Sequence, residues 1–452
     1  MSKIAKLART ISDRKMASSR HQAQRRYSKD NIEEKFQQLK KDVPELEDCA
    51  SPIIAVILDE VGQRKLIKKL IDDGVSDIWL PLNERTIPHH LSPSAHQNFL
   101  EEQNNFLEEA PNLESTEHCH LTKAHLTNDH RTLPKSLEFS AYLGEGGYGY
   151  VYEVCNESGK KYALKKILRP QTFREAKETM KFITMELNVL RRIHHHHFVQ
   201  LVGSYTDEKH VGLLMSPVAD YNLSDYLDEI QITRATQNLM ATFFGCLAGA
   251  LTALHYSYHI RHKDIKPKNI LIKGQNILLT DFGMALDWNE SGQTTTNQEQ
   301  RRSPKYCAPE TAEGESRNSK ADIWSLGCVF LEIVTVLKGQ NRKSMKDFFN
   351  SNGSRSEFFR LNQDAAVGWI RKLKEKELRC GNLPLEWTEK MLQRQPPDRP
   401  NARELMDLIL DSKKEDGMTF WGDCCGGDGL NHNTDDFHLS DVSDLQLSGV
   451  CS

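Results

Sequence analysis

The stretch HKDIKPKNILIKGQNILLTDFG, residues 262–283, concentrates charged and polar residues around a short apolar pattern. It begins with the polar loop HKDIKPKN, which contains Asp264, Lys266 and Asn269. The runs ILI and ILL follow on either side of a Gly-containing turn, and this pattern predicts a β-hairpin. Asp281, Phe282 and Gly283 come directly after the hairpin. The hairpin is therefore expected to hold the polar loop and the Asp-Phe-Gly tripeptide at its two ends.

Upstream, the segment GEGGYGYV (residues 144–151) carries three glycines in the spacing GxGxxG. Dinucleotide-binding folds use the same spacing, but there the glycines open a helix. Here Gly144, Gly146 and Gly149 lie between two β-type runs, LEFSAYL and YGYVYEV. The pattern therefore favours a hairpin whose backbone covers phosphate groups, where a side chain would clash.

The next strand-like run places Ala163 and Lys165 on one face, because side chains alternate along a strand. A small residue leaves room for a flat base, and the lysine beside it can reach phosphates, whereas Lys166 points to the opposite face. Glu186 lies in a predicted helix from about residue 174 to 193, near its apolar face. A buried carboxylate needs a partner, and Lys165 is the expected one.

Three further motifs follow in order: Ala308-Pro309-Glu310, the segment DIWSLG at 322–327, and Asp398-Arg399-Pro400. Together with the residues above, they resemble the eukaryotic protein kinase family over residues 137–412. The resemblance implies an α+β fold with two lobes, a small β-rich N-lobe with one helix and a larger helical C-lobe. It also implies that Arg399 pairs with Glu310.

The resemblance assigns roles to individual residues. Asp264 would accept the proton of a substrate hydroxyl, and Asn269 and Asp281 would hold Mg²⁺ on the phosphates of ATP. Lys165, held by Glu186, would bind the α- and β-phosphates. The implied cofactor-binding residues are Gly144, Gly146, Gly149, Val151, Ala163, Lys165, Glu186, Met215, Val218 and Asp281.

Lys266, two residues after the catalytic Asp264, fits the Ser/Thr class of this family, in which it neutralises the γ-phosphate. Ser303 lies where Ser/Thr kinases carry a hydroxyl that contacts the catalytic loop. Met215 occupies the gatekeeper position, and Val218 supplies backbone groups for adenine because Pro217 lacks an N–H.

One position departs from the family pattern. Lys263 replaces the usual arginine before Asp264, and a lysine cannot bind a loop phosphate bidentately. Dependence on phosphorylation of the loop between Gly283 and Ser303 is therefore in question, although Ser291 and Thr294–Thr296 lie in that loop.

Composition sets wider bounds. The chain has 452 residues, 27% of them charged and 38% hydrophobic, with a net charge of −4, which excludes a collagen, a coiled coil and a generic nucleic-acid binder. Residues 1–29 alone carry a charge of +8 and are interpreted as a basic disordered tail, with a mitochondrial presequence as the alternative. The ten cysteines form no CxxC pair. Their scatter favours free thiols and a cytoplasmic or nuclear location.

The domain pattern outside the kinase-like region is simpler. Residues 30–83 are expected to form a small helical module, with Gly74 as a helix stop, and this module is a candidate for binding a regulator. Its run GVSDIWLPL resembles the N-terminal region of kinase-like proteins of filamentous fungi. Residues 84–136 are expected to be a linker and 413–452 an acidic disordered tail. The longest apolar candidate for a membrane span, 323–337, contains Glu332 and is not expected to be one.

Two histidine-rich segments were considered as metal sites. His194–His197 is expected to be a structural loop, and the group around His118, Cys119 and His120 matches no standard zinc spacing. Cys424 and Cys425 are interpreted as exposed thiols.

The predicted function is transfer of the γ-phosphoryl group of ATP to Ser/Thr hydroxyls of protein substrates. One alternative is a pseudokinase scaffold that binds nucleotide without transferring phosphate. A small-molecule kinase of related fold is the other alternative, disfavoured because the motifs at 308–310 and 322–327 are present.

Overall fold

A computed structural model describes nine stretches of the chain and gives two compact units. The described residues are 27–46, 51–107, 112–115, 117–146, 149–287, 303–314, 318–376, 380–412 and 418–425. The first unit, here called the sheet unit, consists of Met1–Thr184 and Leu201–Met215, and the second, the helical unit, of Met185–Gln200 and Ser216–Ser452.

The N-terminal part of the sheet unit is helical, as predicted. Its helices are α1 (Lys29–Asp42), α2 (Pro52–Glu60), α3 (Ile67–Asp72) and α4 (Pro93–Glu102). The Ser28 side chain caps α1 by accepting a hydrogen bond from the Asn31 N–H (3.2 Å). Helix α2 has consecutive buried residues from Ile54 to Leu58, so it is enclosed on several sides. Gly74, at φ +82°, follows α3 as the predicted helix stop.

The segment 84–136, expected to be a linker, contains helix α4 and a short strand, β1 (His118–His120). Strand β1 pairs in parallel with the β-strand at Gln200–Thr206, so that Cys119 faces Tyr205 across the pair. A three-residue strand is too short to give a period-2 pattern, and its pairing partner is more than 80 residues away in sequence. These two facts explain why the sequence pattern indicated only a loop.

A six-stranded sheet forms the centre of the sheet unit, in the order β1-β5-β6-β4-β3-β2. The remaining strands are β2 (Leu137–Gly146), β3 (Gly149–Asn156), β4 (Lys161–Leu168), β5 (Gln200–Thr206) and β6 (His210–Ser216). Buried residues on one face, among them Val154, Tyr162, Leu164 and Leu214, pack with Leu121 and Leu137 into a common core. Helix α5 (Phe173–Arg192) agrees with the predicted helix to within one residue at each end and contributes to both units.

The helical unit is built around two apolar helices, α7 (Arg234–Thr252) and α9 (Lys320–Leu337). Its other helices are α6 (Leu223–Glu229), α8 (Pro309–Ala312), α10 (Arg342–Ser351), α11 (Gln363–Lys374), α12 (Leu383–Met391) and α13 (Ala402–Leu410). Its short strands are β7 (Tyr221–Asn222), β8 (Ile260–Arg261), β9 (Ile270–Lys273), β10 (Asn276–Leu279) and β11 (Leu286–Asp287). Strands β9 and β10 form the predicted hairpin of the segment 262–283.

Among the described residues, one helical stretch, Arg234–Ser257, is long and apolar enough to cross a membrane by length and composition alone. Most of it is buried inside the protein, which is the behaviour of a core helix. The apolar stretch 323–337, noted in the sequence, is likewise buried within α9.

The observed architecture confirms the predicted α+β class, with a β-rich part containing one helix, a larger helical part and a helical N-terminal region. The tail from residue 413 differs in one place. Residues 418–425 pack on the helical unit, where Met418, Phe420 and Cys425 are buried. The apolar side chains of this segment favour packing on the helical unit. The acidic composition of residues 413–452 taken together gave no indication of it.

Candidate active site

The catalytic loop holds Asp264 between two donors. Lys266 Nζ lies 2.6 Å from Asp264 Oδ2, and Asn269 Nδ2 donates to the same oxygen at 3.0 Å. Asn269 Nδ2 also donates to the backbone oxygen of Asp264 (2.9 Å), which closes the loop on itself. The Asp264 side chain is buried, so these two charge-assisted bonds fix the carboxylate in one orientation.

A second carboxylate, that of Asp322 on α9, binds the backbone of this loop. It accepts hydrogen bonds from the backbone N–H groups of His262 and Lys263 (2.9 Å each) and contacts His255 Nε2 at 2.9 Å. Burial opposes ionisation of Asp322, but the His255 ring and these N–H groups hold its pKa below the usual value. The carboxylate therefore stays ionised and anchors the backbone beside Asp264. The motif at 322–327 is visible in the sequence, whereas this role of Asp322 is not.

The Asp-Phe-Gly tripeptide is attached to the same loop by backbone contacts. The Thr280 N–H donates to the Asn269 oxygen (3.1 Å), and His262 Nε2 donates to the Thr280 oxygen (3.0 Å). Asp281 has left-handed backbone angles, φ 64° and ψ 68°, a conformation that a non-glycine residue adopts only when its surroundings enforce it. The buried Phe282 ring, 5.0 Å from the His262 ring, supplies part of that enforcement.

Glu186 is buried at the helical-unit end of α5, as predicted from its apolar neighbours. A Cβ atom on Gly283 would lie 3.2 Å from Glu186 Oε2, so the carboxylate is directly beside the tripeptide. Asp281 Oδ1 is close to the same point, at 3.7 Å. The helical unit thus holds the acidic groups of Asp281 and Glu186 close together.

Asn269 and Asp281 fit the requirements of Mg²⁺. The Asn269 amide nitrogen is used in bonds to Asp264, so its amide oxygen points elsewhere. The Thr280–Asn269 backbone bond keeps Asn269 next to the residue that precedes Asp281. An amide oxygen and a carboxylate are hard ligands of the kind that Mg²⁺ prefers.

In the sheet unit, the glycine segment lies where β2 ends and β3 begins, and these strands pair antiparallel, with Gly144 opposite Val151 and Gly146 opposite Gly149. This is the predicted hairpin. Gly144 has φ +151°, and a Cβ on Gly149 would lie only 1.9 Å from the Lys166 oxygen. Gly149 is therefore required to be a glycine because β4 approaches its backbone so closely.

On β4, Ala163 is paired with Met215 and Lys165 with Leu213. Lys165 is 7% exposed. Lys166 is buried too, and its Nζ donates to the backbone oxygens of Arg131 and Thr132. Lys166, which the alternation of side chains along the strand placed on the face opposite Lys165, therefore has partners of its own. In the helical unit, Val218 is buried shortly after the end of β6.

The segment after Ser303 is joined to the helical core by a buried ion pair. The Arg399 guanidinium donates to both Glu310 oxygens, at 2.7 and 2.9 Å, as the resemblance implies. Ser303 Oγ accepts a hydrogen bond from Lys266 Nζ (2.9 Å). Ser291 and Thr294–Thr296, the candidate phosphorylation sites, lie outside the described residues.

The two histidine-rich segments have different surroundings. His118 contacts the Ser204 and Thr206 hydroxyls, and His120 Nδ1 contacts the Leu80 oxygen at 3.0 Å, so this group uses ordinary protein partners. His196 and His197 instead lie beside Cys424 and Cys425. The interpretation of Cys425 as an exposed thiol is wrong, because its side chain is buried. Sequence spacing could not join residues 227 positions apart.

Comparison with known proteins agrees with this geometry. A family model described as protein kinase domain matches residues 137–408. Serine/threonine-protein kinase 33 of Mus musculus is 29% identical over 207 residues, which cover 43% of this chain and 41% of that protein. Mitogen-activated protein kinase kinase kinase YODA of Arabidopsis thaliana is 28% identical over 269 residues, 59% of this chain and 28% of that protein.

A third relative, mitogen-activated protein kinase kinase kinase A of Dictyostelium discoideum, is 29% identical over 198 residues, 43% of this chain and 20% of that protein. The chain spans less than half of the length of each of these relatives.

Proposed function

Since the chain belongs to the eukaryotic protein kinase family, we propose that it is an active kinase that transfers the γ-phosphoryl group of ATP to Ser or Thr hydroxyls of proteins. The observation that carries the proposal is the position of Lys266. Its Nζ lies 2.6 Å from Asp264 Oδ2 and 2.9 Å from Ser303 Oγ. An acceptor for a hydroxyl proton and a cation for the phosphoryl charge are therefore side by side.

The chain's own residues account for the proton transfer. Among the described residues, both side-chain bonds to Asp264 fall on Oδ2, so Oδ1 is the oxygen that receives the substrate proton. The substrate oxygen forms a bond to the γ-phosphorus while the bond from that phosphorus to the bridging oxygen breaks and ADP leaves. Lys266 offsets the negative charge of the transferred group. Asp322 keeps the loop backbone in place throughout.

Binding of the nucleotide uses further residues in this proposal. Asn269 and Asp281 would hold Mg²⁺, which when bound neutralises charge on the phosphate oxygens. Lys165 would bind the α- and β-phosphates. The other proposed nucleotide-binding residues are Gly144, Gly146, Gly149, Val151, Ala163, Glu186, Met215 and Val218.

A protein substrate is supported by the family match, and a small pocket lies beside the acceptor. The pocket is lined by Lys263, Asp264, Ile265, Ser303, Cys307 and Thr311. The hydrogen bond from Lys266 to Ser303 supports Ser/Thr over Tyr as the substrate class.

The proposal is tested by a transfer assay with radiolabelled ATP, Mg²⁺ and a generic basic protein, using the full chain. The Asp264→Asn variant should transfer phosphate about 10²–10⁴-fold more slowly, because the proton acceptor is lost. Asp347→Asn, which alters an exposed carboxylate, is the matched control.

Phosphoserine or phosphothreonine in the product would support the assignment, and phosphotyrosine would contradict the substrate class. ATP binding without transfer by the unaltered protein would overturn the proposal and leave the nucleotide-binding scaffold.

A further inference from the structure

Four metal-ligating side chains converge in the helical unit, apart from the candidate active site. His196 and His197 lie in the loop after α5, and Cys424 and Cys425 lie in the C-terminal segment 418–425. One donor atom from each of the four residues lies within 4.8 Å of all the others. It is the one such group of His, Cys, Asp or Glu side chains in the described part of the chain.

The distances suit a tetrahedral zinc site. With Zn–S near 2.3 Å and Zn–N near 2.05 Å, sulfur and nitrogen ligands are separated by about 3.6 Å. His197 Nε2 lies 3.2 Å from Cys425 Sγ and 3.4 Å from Cys424 Sγ, and His196 Nε2 lies 3.9 Å from Cys425 Sγ. The three separations lie on both sides of the expected value, so small side-chain adjustments would complete the coordination.

The hydrogen bonds around His197 orient it as a metal ligand. Its Nδ1 lies 2.8 Å from the Ile277 oxygen, and a carbonyl can only accept, so Nδ1 carries the proton. The lone pair is then on Nε2, which faces both sulfurs. A ligating histidine that donates its other N–H to a carbonyl is the usual outer-shell arrangement. Asn276 Nδ2 donates to the His196 oxygen (2.8 Å) and fixes the loop further.

The cysteine segment is held in place by packing of its own. The Gly245 N–H donates to the Phe420 oxygen (2.8 Å), and the buried Phe420 ring lies 5.2 Å from the Trp387 ring. Two glycines on one face of α7 allow this approach. A Cβ on Gly245 would lie 2.6 Å from Trp421 Cβ, and one on Gly249 would lie 3.2 Å from Cys425 Sγ. This packing therefore positions the thiols beside the histidines.

From this geometry we propose that His196, His197, Cys424 and Cys425 bind one Zn²⁺ ion. Two thiolates and two neutral imidazoles balance the charge of the ion, which permits a site in which His197 and Cys425 are buried. Bound zinc would tie residues 418–425 to the loop that follows the Glu186 helix. It would thereby stabilise the backbone next to a catalytic element without entering the phosphoryl transfer.

Cys246 gives the site a redox alternative. Its Sγ lies 3.8 Å from Cys424 Sγ, so oxidation by an added oxidant could join these two sulfurs instead. A disulfide would remove Cys424 from the ligand set, and this competing outcome can be measured directly.

The first test measures zinc per chain in full-length protein purified under reducing conditions. We expect one equivalent, and we expect Co²⁺ substitution to give tetrahedral d–d bands with a thiolate charge-transfer band. The Cys424→Ser variant changes an exposed side chain, so it should fold yet bind zinc more than about 100-fold more weakly. Cys155→Ser, in the sheet unit, is the matched control and should keep the full equivalent.

Three results would overturn the proposal. One is reduced protein that takes up no zinc or cobalt after reconstitution. Another is a Cys424→Ser, Cys425→Ser double variant that retains a full equivalent. The third is a Cys246–Cys424 disulfide that forms equally fast with and without added zinc when a disulfide oxidant is supplied, because a zinc-bound Cys424 should react more slowly. None of these readouts depends on kinase activity.

Discussion

The two units satisfy their buried charges in different ways. In the helical unit two buried carboxylates have ionisable side chains as partners: Glu310 has Arg399, and Asp322 has the His255 ring. In the sheet unit the Arg169 guanidinium donates instead to the backbone oxygens of Trp79, Pro81 and Asp207. His120 likewise contacts a backbone oxygen, that of Leu80.

The difference has a consequence for sequence reading. A charge pair has two identifiable side chains, and both can appear in motifs. A backbone carbonyl cannot be recognised as a hydrogen-bond partner from the sequence, because every residue carries one. The helical N-terminal part of the sheet unit is therefore bound to the sheet by contacts that no sequence motif indicates. Burial lowers the pKa of Arg169 to about 10 and that of His120 to about 4.

The largest effect is expected from breaking a charge pair. Arg399→Ala leaves the buried Glu310 carboxylate without its guanidinium and should lower the free energy of unfolding by about 3–5 kcal/mol. Urea unfolding measures this loss. The control is Arg394→Ala, which removes an exposed pair with Glu313 and should cost at most about 1 kcal/mol. Equal costs for the two variants would remove the contrast between buried and exposed pairs.

The next effect is a pH dependence in the sheet unit. The pKa of buried His120 is lowered to about 4, from 6.5 when exposed, so the unfolded chain binds the extra proton between these values. Stability is then complete above pH 6.5 and falls as the pH approaches 4, by about 3 kcal/mol in total. His120→Gln lacks the titrating group, and the difference in unfolding free energy between it and the unaltered protein should change with pH in that window. A constant difference would contradict the prediction.

A smaller and more local effect is expected at Arg169. Arg169→Met leaves its three carbonyl partners without this donor, at about 1–3 kcal/mol for each one that stays unsatisfied, and removal of the buried charge offsets part of that cost. Hydrogen exchange should accelerate at the amides of residues 78–82, where the helical N-terminal part contacts the sheet. Arg85→Met, at an exposed position in the same region, should leave exchange unchanged. Uniform acceleration throughout the sheet unit would mean that Arg169 supports the whole unit rather than this attachment.

The smallest effect concerns Lys263, in the catalytic loop. A lysine is a point charge and cannot form the bidentate contact that an arginine makes with a phosphate. An exposed ion pair contributes at most about 1 kcal/mol, so phosphatase treatment should change the transfer rate by less than roughly fivefold. The Lys263→Arg variant should show a larger dependence on phosphorylation. A large loss of activity in dephosphorylated, unaltered protein would contradict this expectation.

Much of the catalytic site could be predicted because its residues are close in sequence. Asp264, Lys266 and Asn269 lie within six positions of one another, and a turn and a hairpin bring Asp281 to them. Helix α5 was predicted to within one residue because its apolar period is long. Strand β1 and the docking of residues 418–425 could not be predicted, since each depends on a distant partner and spans only a few residues.

By itself, the sequence determined which residues the proposed phosphoryl transfer would use and in which order they occur, because spacing and side-chain type can be read directly from the sequence. The tertiary structure decided what holds those residues. It placed Asp322 under the catalytic loop, turned Lys166 toward two backbone oxygens, and brought His196 and His197 to Cys424 and Cys425. The physical reason is that these contacts join residues far apart in the sequence or involve backbone atoms that every residue carries. They form only when folding brings the distant segments within bonding distance.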